Sequence, residues 1–213
     1  MMKNTSRIVT LASLLVATQL LSACAPLLIG GAAVGGALMY TDRRTSGAQV
    51  EDEAIEAKSY NRIRQAIGDR GHVNVTSYNR LALLTGEVPS ESDRTAVANA
   101  VAGVENLRSV TNEIAVMPNS SLTSRSSDAI VTSKVKATLF DAKDVQGNAF
   151  KVVTERGTVY LMGVVTEREL NRATELARSI SGVDKVVRVA EVVSEEQLKA
   201  LQPAPAPAAS AAR

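Results

Sequence analysis

Apolar or small residues recur at helical spacing in the first part of the chain that can build a core. Between Asp52 and Ile67 they form one stripe, which consists of Ile55, Ser59, Ile63, Ala66 and Ile67. Polar residues occupy the other side. This spacing predicts an amphipathic helix, whereas the alternation at Val73 and Val75 predicts a half-buried strand. The order helix, strand, strand, helix, strand is predicted over Asp52–Ile67, His72–Ser77, Arg80–Val88, Ser92–Ala102 and Leu107–Val116.

The same order can be assigned a second time, about 75 to 79 residues later, which indicates an internal repeat. Val152, Val159 and Leu161 show the alternation of half-buried strands. The second set is predicted over Ser127–Phe140, Ala149–Glu155, Thr158–Val165, Arg168–Ile180 and Val183–Val193. We therefore expect an α+β protein with two tandem αββαβ domains at residues 51–118 and 126–195, joined by a linker at 119–125. Each domain is expected to be a three-stranded mixed sheet covered by two helices.

Short matching segments support the duplication. Gly86, near the end of one predicted strand, corresponds to Gly163 in the second copy, and Gly103-Val104 corresponds to Gly182-Val183. These residues resemble the BON domain, a small module of exported and membrane-associated bacterial proteins with a Gly after its second strand and a Gly-Val before its last. The resemblance covers residues 51–194 and implies two BON-like domains.

The four glycines also have a physical interpretation. Because a Gly inside a strand usually marks a bend or a close approach of backbone, we expect Gly86 and Gly163 to allow a helix to pack closely on the strand. Gly103 and Gly182 follow helices, where a left-handed cap is expected.

The N-terminal residues have the pattern of a bacterial export signal. Lys3 and Arg7 precede a mostly apolar stretch at 8–21, which ends in Leu21-Ser22-Ala23-Cys24. That tetrapeptide resembles a lipobox, which implies a signal peptide at 1–23 and acylation of Cys24. With the two repeats behind it, the whole chain resembles the dual BON-domain lipoproteins of the Gram-negative outer membrane. The resemblance also implies that Ala25 directs the protein to the outer membrane, where it faces the periplasm.

The segments beside the two domains are not expected to build a core. Residues 24–50 are predicted to be the acylated N-terminus and tether. Within them, Leu27–Tyr40 is apolar but shorter than the about 20 residues that span a bilayer. It is either an interfacial segment beside the lipid anchor or a flexible tether. Residues 196–213 are rich in Pro and Ala and are predicted to be a disordered tail.

Composition excludes several classes of function. The chain has 213 residues with one Cys, one His and no Trp, which leaves almost nothing for a metal or redox site. The predicted signal peptide holds two of the 24 basic residues and none of the 22 acidic ones, so the mature chain is balanced and nucleic-acid binding is not expected.

No motif of an enzyme site stands out. The sequence contains neither a nucleophile elbow nor a phosphate-binding glycine loop. His72 is expected at a strand edge or loop, and Glu167 and Glu169 as solvated charges at a helix start. We therefore expect a non-enzyme with no catalytic residue, no cofactor and no metal.

The two first helices differ in a way that bears on function. Beside its core stripe, the helix at 127–140 carries a second apolar patch flanked by lysines, whereas the helix at 52–67 does not. Apolar groups bordered by ammonium groups are typical of an interfacial lipid-binding helix. The candidate lipid-binding residues are Ala129, Ile130, Ser133, Lys134, Lys136, Ala137 and Phe140. In the alternative interpretation, the patch packs against the first domain.

These patterns lead to two main hypotheses. In the first, the second domain binds an anionic phospholipid membrane and supports envelope integrity, which the BON resemblance also implies. In the second, the protein is an adaptor that binds an envelope assembly or cell-division protein through this patch or the surfaces of Tyr60 and Tyr78. An enzyme acting on lipid is a third and weaker hypothesis.

Overall fold

A computed structural model describes residues 42–201, which contain two successive α+β domains of the same plan. This confirms the predicted fold class. The first domain consists of α1 (Ser46–Ile67), β1 (His72–Tyr78), β2 (Leu81–Val88), α2 (Glu91–Ala102), β3 (Ser109–Asn112) and β4 (Ala115–Val116). The second consists of α3 (Leu122–Asp141), a 3-10 turn (Gly147–Ala149), β5 (Phe150–Glu155), β6 (Thr158–Val165), α4 (Glu167–Arg178), β7 (Lys185–Val192) and α5 (Glu195–Leu201).

Both sheets are mixed, with the second strand of each domain in the centre. β1 is antiparallel to β2, with His72 opposite Glu87, and β3 and β4 both run parallel to β2. In the second sheet β5 is antiparallel to β6, with Phe150 opposite Gly163, and β7 is parallel to β6. The interruption between β3 and β4 divides a strand that the sequence predicts as continuous over 107–116, so the first sheet counts four strands.

The central strands are buried on both faces, and their side chains alternate between two cores. In β6, Leu161 packs with the helices of its own domain, whereas Met162 faces the other way. In β2, Leu84 faces the helices, and Leu83 lies with Met162 in a third cluster. Because neighbouring strand residues point to opposite faces, each sheet has helices on one face and the other domain on the second.

The third cluster joins the two sheets and is built mainly from the second domain. Its buried members are Tyr78, Leu83, Tyr160, Met162, Val164 and Val189. Polar groups surround it: Arg156 donates to Gly86 O at 3.0 Å, and Lys151 Nζ lies 2.9 Å from Glu56 Oε1. The two domains therefore form one contiguous packed structure.

The C-terminal ends of the predicted tether and of the predicted linker are helical. α1 begins at Ser46 and α3 at Leu122, so parts of the segments predicted as tether (24–50) and linker (119–125) are helical. Thr45 and Ser121 cap these helices by accepting hydrogen bonds from Ala48 N and Ser124 N. The sequence prediction placed the helix starts at the first core residues and missed these caps.

Two arginines before α1, inside the segment predicted as a tether, are held by contacts with the two domains. Arg43 forms an ion pair with Glu169 at 2.8 Å, and the exposed fractions of the two side chains are only 5% and 6%. Arg44 bonds Asp52 at 2.7 Å and stacks 4.1 Å from the Tyr78 ring. Glu169 is thus a buried charge rather than a solvated one. It also completes a capping box with Thr166.

The glycine prediction was right about close approach and wrong about the partner. A Cβ on Gly86 would collide with the carbonyl oxygen of His72, and one on Gly163 would lie 2.5 Å from Ala149 O. The close neighbour is therefore backbone at the start of the adjacent strand, not a crossing helix. Gly86 also has φ +111°, which L side chains rarely adopt.

The predicted left-handed cap at Gly103 is wrong. Gly103 has φ −82° and continues the right-handed turn, and the positive φ occurs at Asn106 instead. A Cβ on Gly103 would approach Arg62 Nη1 at 2.6 Å. Gly182 has φ +96°, where a Cβ would lie 2.9 Å from Val131.

Several predictions fall outside the described residues: the signal peptide at 1–23, Cys24, the apolar segment at 27–40 and the tail from 202 onwards. The helix α5 (Glu195–Leu201) includes the first residues of the tail predicted at 196–213, and its Leu198 is buried. Within residues 42–201 no helix combines the length and apolar character needed to cross a membrane.

Candidate functional site

α3 presents two faces of opposite character. Its buried residues, Asp128, Val131, Val135 and Leu139, point toward the second domain's core. On the other side all seven predicted lipid-binding residues are exposed: Ala129, Ile130, Ser133, Lys134, Lys136, Ala137 and Phe140. We call these seven residues the α3 strip. The exposed fractions of Ile130 and Phe140 are 57% and 69%. The alternative in which the strip packs against the first domain is therefore wrong.

The basic residues of the α3 strip are free in the described part of the chain. Neither Lys134 nor Lys136 forms an ion pair with another residue of 42–201. Both ammonium groups are thus available to an external anion. An exposed apolar patch with a polar border is a candidate site for contact with a membrane or a protein.

An aspartate sets the register of α3 against the sheet below it. Asp128 accepts hydrogen bonds from Arg156 N at 2.8 Å and Gly157 N at 3.0 Å, and thereby holds the β5–β6 turn. In the first domain, Asp52 accepts from Asn79 N and Arg80 N, both at 2.7 Å. The positive φ angles of these turns leave their N–H groups without strand partners, so a carboxylate on the covering helix supplies the acceptor.

The electrostatics of Asp52 follow from this role. Burial alone would raise the pKa of its carboxyl group, but hydrogen bonds from Ser77 Oγ, Arg80 N and Arg44 outweigh it and hold the pKa below the usual range. Sequence reasoning missed both aspartates. The available signal was their matching position on the core stripe, three residues before Ile55 and Val131.

Aligning α1 with α3 on these aspartates gives an internal comparison of the two surfaces. Ile130 then corresponds to Ala54 and Phe140 to Arg64. Two cations of α1 already form ion pairs inside the first domain, since Lys58 lies 3.2 Å from Glu105 and Arg64 lies 3.5 Å from Asp69. The third, Arg62, donates to Ala100 O at 3.5 Å. The same fold therefore carries an apolar strip with free lysines only on its second copy, within the residues described.

A groove continues the α3 strip at the C-terminal end of the helix. It encloses about 490 Å³ and is lined by Ala137, Phe140, Gly147 and Phe150, among others. Gly147 makes the close approach of the 3-10 turn to the helix end feasible, since a Cβ there would lie 2.7 Å from Leu139 O. The exposed Phe140 ring therefore stands beside an apolar depression rather than on a flat surface.

A second polar cluster lies between the domains and was not expected from the sequence. His72, Glu87 and Glu155 each offer a ligand atom, and these atoms lie within 4.8 Å of one another. Glu87 is fully buried; burial opposes its ionisation, yet the bond from Arg156 at 2.7 Å lowers its pKa below the usual range. Burial, and then repulsion from Glu87, raises the pKa of Glu155. His72 begins the edge strand β1, as predicted, and is half-buried among these charges.

The two tyrosines proposed as partner-binding surfaces have different environments. Tyr78 is buried in the cluster between the domains and cannot serve as an exposed surface. Tyr60 on α1 has an exposed fraction of 54%.

The two repeated units both match a known protein family. A family model described as the BON domain matches residues 51–118 and again residues 127–194. Because these two matches cover more than half of the chain, the protein belongs to the BON domain family. Both matched units contain the αββαβ order and a glycine near the end of the second strand, Gly86 and Gly163.

Individual proteins of known sequence place the chain more narrowly within the BON domain family. The chain is 40% identical over 181 residues to the outer membrane lipoprotein DolP of Haemophilus influenzae, covering 84% of this chain and 93% of that protein. It is 33% identical over 154 residues to a protein called 21 kDa hemolysin of Actinobacillus pleuropneumoniae, covering 71% and 79%. With its two BON domains, the chain is an outer-membrane lipoprotein anchored by lipid. The BON-domain lipoproteins that it resembles do not form an enzyme family.

Among solved structures, the chain is similar to CdsD, a structural protein of the type III secretion system of Chlamydia trachomatis. The TM-score is 0.29 with 11% sequence identity, over 68% of this chain and 95% of that one. A likeness at this level carries no argument about function.

Proposed function

We propose that this lipoprotein is not an enzyme, and that it binds anionic phospholipid through the α3 strip and thereby supports the integrity of the outer membrane. The observation that carries the proposal is the exposure of Ile130 and Phe140 beside two unpaired lysines. Apolar side chains can enter the acyl boundary while the ammonium groups contact anionic head groups. The first domain, with Ala54 and Arg64 at the corresponding positions, serves as scaffold.

Anchoring and lipid binding have separate roles in this proposal. The acyl chains on Cys24 hold the chain at the membrane, with a gain of about 0.8 kcal/mol per buried methylene. The α3 strip then selects the surface on which the second domain rests. The anchor keeps the protein close to the bilayer and so raises the effective concentration of the α3 strip there. A weak affinity of the strip for lipid is therefore sufficient.

Co-sedimentation with vesicles tests the proposal. The fragment 42–201, without the acyl anchor, is mixed with phosphatidylcholine vesicles that contain or lack phosphatidylglycerol. We expect binding only when the anionic lipid is present. Ile130→Asp and Phe140→Asp should abolish it, because a charge brought into the acyl region is costly whereas the same charge in water is not.

Ala54→Asp and Arg64→Asp are the matched controls at the corresponding positions of α1, and both should bind as the parent does. If the fragment ignores anionic vesicles but recovers an envelope protein in a pull-down, the adaptor hypothesis replaces lipid binding. Equal losses for the α1 and α3 variants would also contradict the assignment of the site to the second domain.

A further inference from the structure

The cluster between the domains contains more negative than positive groups. Glu87 and Glu155 have exposed fractions of 0% and 5%, and both carboxyl groups lie near the same guanidinium. Arg156 approaches Glu87 Oε1 at 2.7 Å but Glu155 Oε1 only at 3.9 Å. Buried carboxylates are costly unless paired, and one guanidinium compensates for only one of them.

The atoms around these two carboxylates are suited to binding a metal ion. His72 Nδ1 is buried without a hydrogen-bond partner within residues 42–201, and it lies 3.5 Å from Glu87 Oε2. Among the described residues, Glu155 Oε2 has only a long contact to Asn74 Nδ2, at 3.4 Å. Glu87 Oε2 receives contacts from Ser120 N and Oγ at 3.3 and 3.2 Å, and Oε1 is the oxygen bonded to Arg156. A ring nitrogen and carboxylate oxygens from three strand positions thus converge.

The spacing of these atoms permits coordination after a small adjustment. Three atoms within 4.8 Å of one another share a central point that lies about 2.8 Å or less from each. Zinc binds imidazole nitrogen and carboxylate oxygen at about 2.0–2.2 Å. Each ligand atom therefore has to move by less than about 1 Å. A neighbouring cleft of about 430 Å³, lined by His72, Asn74 and Glu155, provides a route for the ion.

The internal repeat has other residue types at the corresponding positions of its second copy. By strand register, His72, Glu87 and Glu155 correspond to Ala149, Val164 and Tyr78. At that second corner of the interface, Tyr78 OH meets Ala149 O at 3.4 Å, and Val164 is buried. The charges near this second corner come from the segment before α1: Arg43 donates to Val164 O at 3.0 Å, and Arg44 stacks on the Tyr78 ring. Within the residues described, a histidine with two acids occurs at the first corner only.

We propose that His72, Glu87 and Glu155 form a binding site for a zinc-class divalent cation, which links the two domains. His72 and Glu87 come from the first domain and Glu155 from the second, so the ion couples their relative position. Arg156 remains bonded to Glu87 Oε1 and orients that carboxylate. Imidazole and carboxylate together suit Zn²⁺, whereas Mg²⁺ prefers an octahedral set of oxygens.

The test uses the fact that His72 is the single histidine of the sequence. The tag-free mature lipoprotein in detergent is labelled with ¹⁵N-histidine, and its imidazole NMR signals are followed while ZnCl₂ or MgCl₂ is added. We expect the signals to shift with one Zn²⁺ per chain, to return on addition of a chelator, and to ignore Mg²⁺. Zn²⁺ should also raise the midpoint of thermal unfolding.

Two variants and a control separate this site from adventitious binding. Glu155→Gln keeps the side-chain size, removes a buried like charge beside Glu87, and should weaken Zn²⁺ binding at least tenfold. His72→Asn should lose the zinc-dependent rise in the unfolding midpoint, and Glu53→Gln, an exposed acid of α1, should retain it. Imidazole signals that follow only pH and not Zn²⁺ would overturn the proposal. So would a folded Glu155→Gln protein that binds Zn²⁺ as tightly as the parent.

Discussion

Asp52 and Asp128 hold the two hairpin turns to the helices that cover them, and the role of Asp52 makes stability depend on pH. The carboxylate of Asp52 accepts from Ser77 Oγ and two turn N–H groups, all at 2.7 Å. Such bonds favour the ionised form, which explains why the pKa of Asp52 is lowered in the folded protein.

This gives a prediction with a defined sign. A depressed folded pKa contributes stability above the unfolded pKa, about 3.9 for Asp, and the contribution is lost as the pH falls through the folded value. Asp52→Asn should therefore lower the thermal midpoint clearly at pH 7, and its difference from the parent should shrink below about pH 4. Asp69→Asn, whose side chain is 91% exposed, is the control and should have little effect at either pH.

The glycines at the strand ends give a second prediction at this scale. Gly86→Val should destabilise the first domain, and Gly163→Val the second, by about 1 to 3 kcal/mol, measured by urea unfolding. Gly86→Val should cost more, because its positive φ adds backbone strain to the collision with the His72 carbonyl. Loss of lipid binding without any loss of stability would contradict this assignment of structural roles.

At the scale of elements, α1 and α3 have the same place in the fold and opposite outer surfaces. Their core stripes match, with Ile55 and Ile63 corresponding to Val131 and Leu139. Their outer faces do not match, because α3 exposes Ile130 and Phe140 where α1 has Ala54 and Arg64. The duplicated element thus keeps its packing side and carries a different surface on each copy.

The lysines of α3 should contribute mainly through long-range attraction. Lys134→Glu with Lys136→Glu should weaken binding to anionic vesicles strongly at low salt and less at high salt. Each basic residue near an anionic surface contributes about 1 kcal/mol, and salt screens that term. Lys58→Glu in α1 is the matched control, since it corresponds to Lys134, and should leave binding unchanged. An effect that does not depend on salt would contradict the electrostatic role.

Local patterns predicted the elements well and the buried charges poorly. The helical stripe, the strand alternation and the exposed face of α3 depend on neighbours a few residues apart, and those can be read along the chain. Arg43 and its partner Glu169 are 126 residues apart in the sequence, and Arg156 and its partner Glu87 are 69 residues apart. Such pairs form only in the folded chain, so the sequence pattern assigned Glu169 to solvent. It placed His72 correctly at a strand start but missed the charges around it.

At the scale of the whole molecule, the two sheets pack against each other with Glu87 and Arg156 joined across the interface. Arg156 is held at the β5–β6 turn with φ +49°, and its side chain reaches Gly86 O and Glu87. This arrangement orients the second domain, and hence the α3 strip, with respect to the first.

Breaking this pair should destabilise the assembly of the two domains. Arg156→Ala leaves Glu87 buried without its cation, and a change of this kind costs about 3 to 5 kcal/mol. Arg80→Ala, at an exposed position of the β1–β2 turn, is the control and should cost little. Urea unfolding of the fragment 42–201 gives the comparison, and equal effects of the two variants would refute the role of the Arg156–Glu87 pair.

The central claim, that the second domain carries the lipid-binding surface, is tested most directly by a chemical-shift map of the fragment 42–201 with anionic phospholipid micelles. The account predicts changes concentrated at Ile130, Lys134, Ala137 and Phe140, with the corresponding positions Ala54 and Arg64 unaffected. Changes centred on α1, or an unchanged spectrum at saturating micelle concentration, would contradict it.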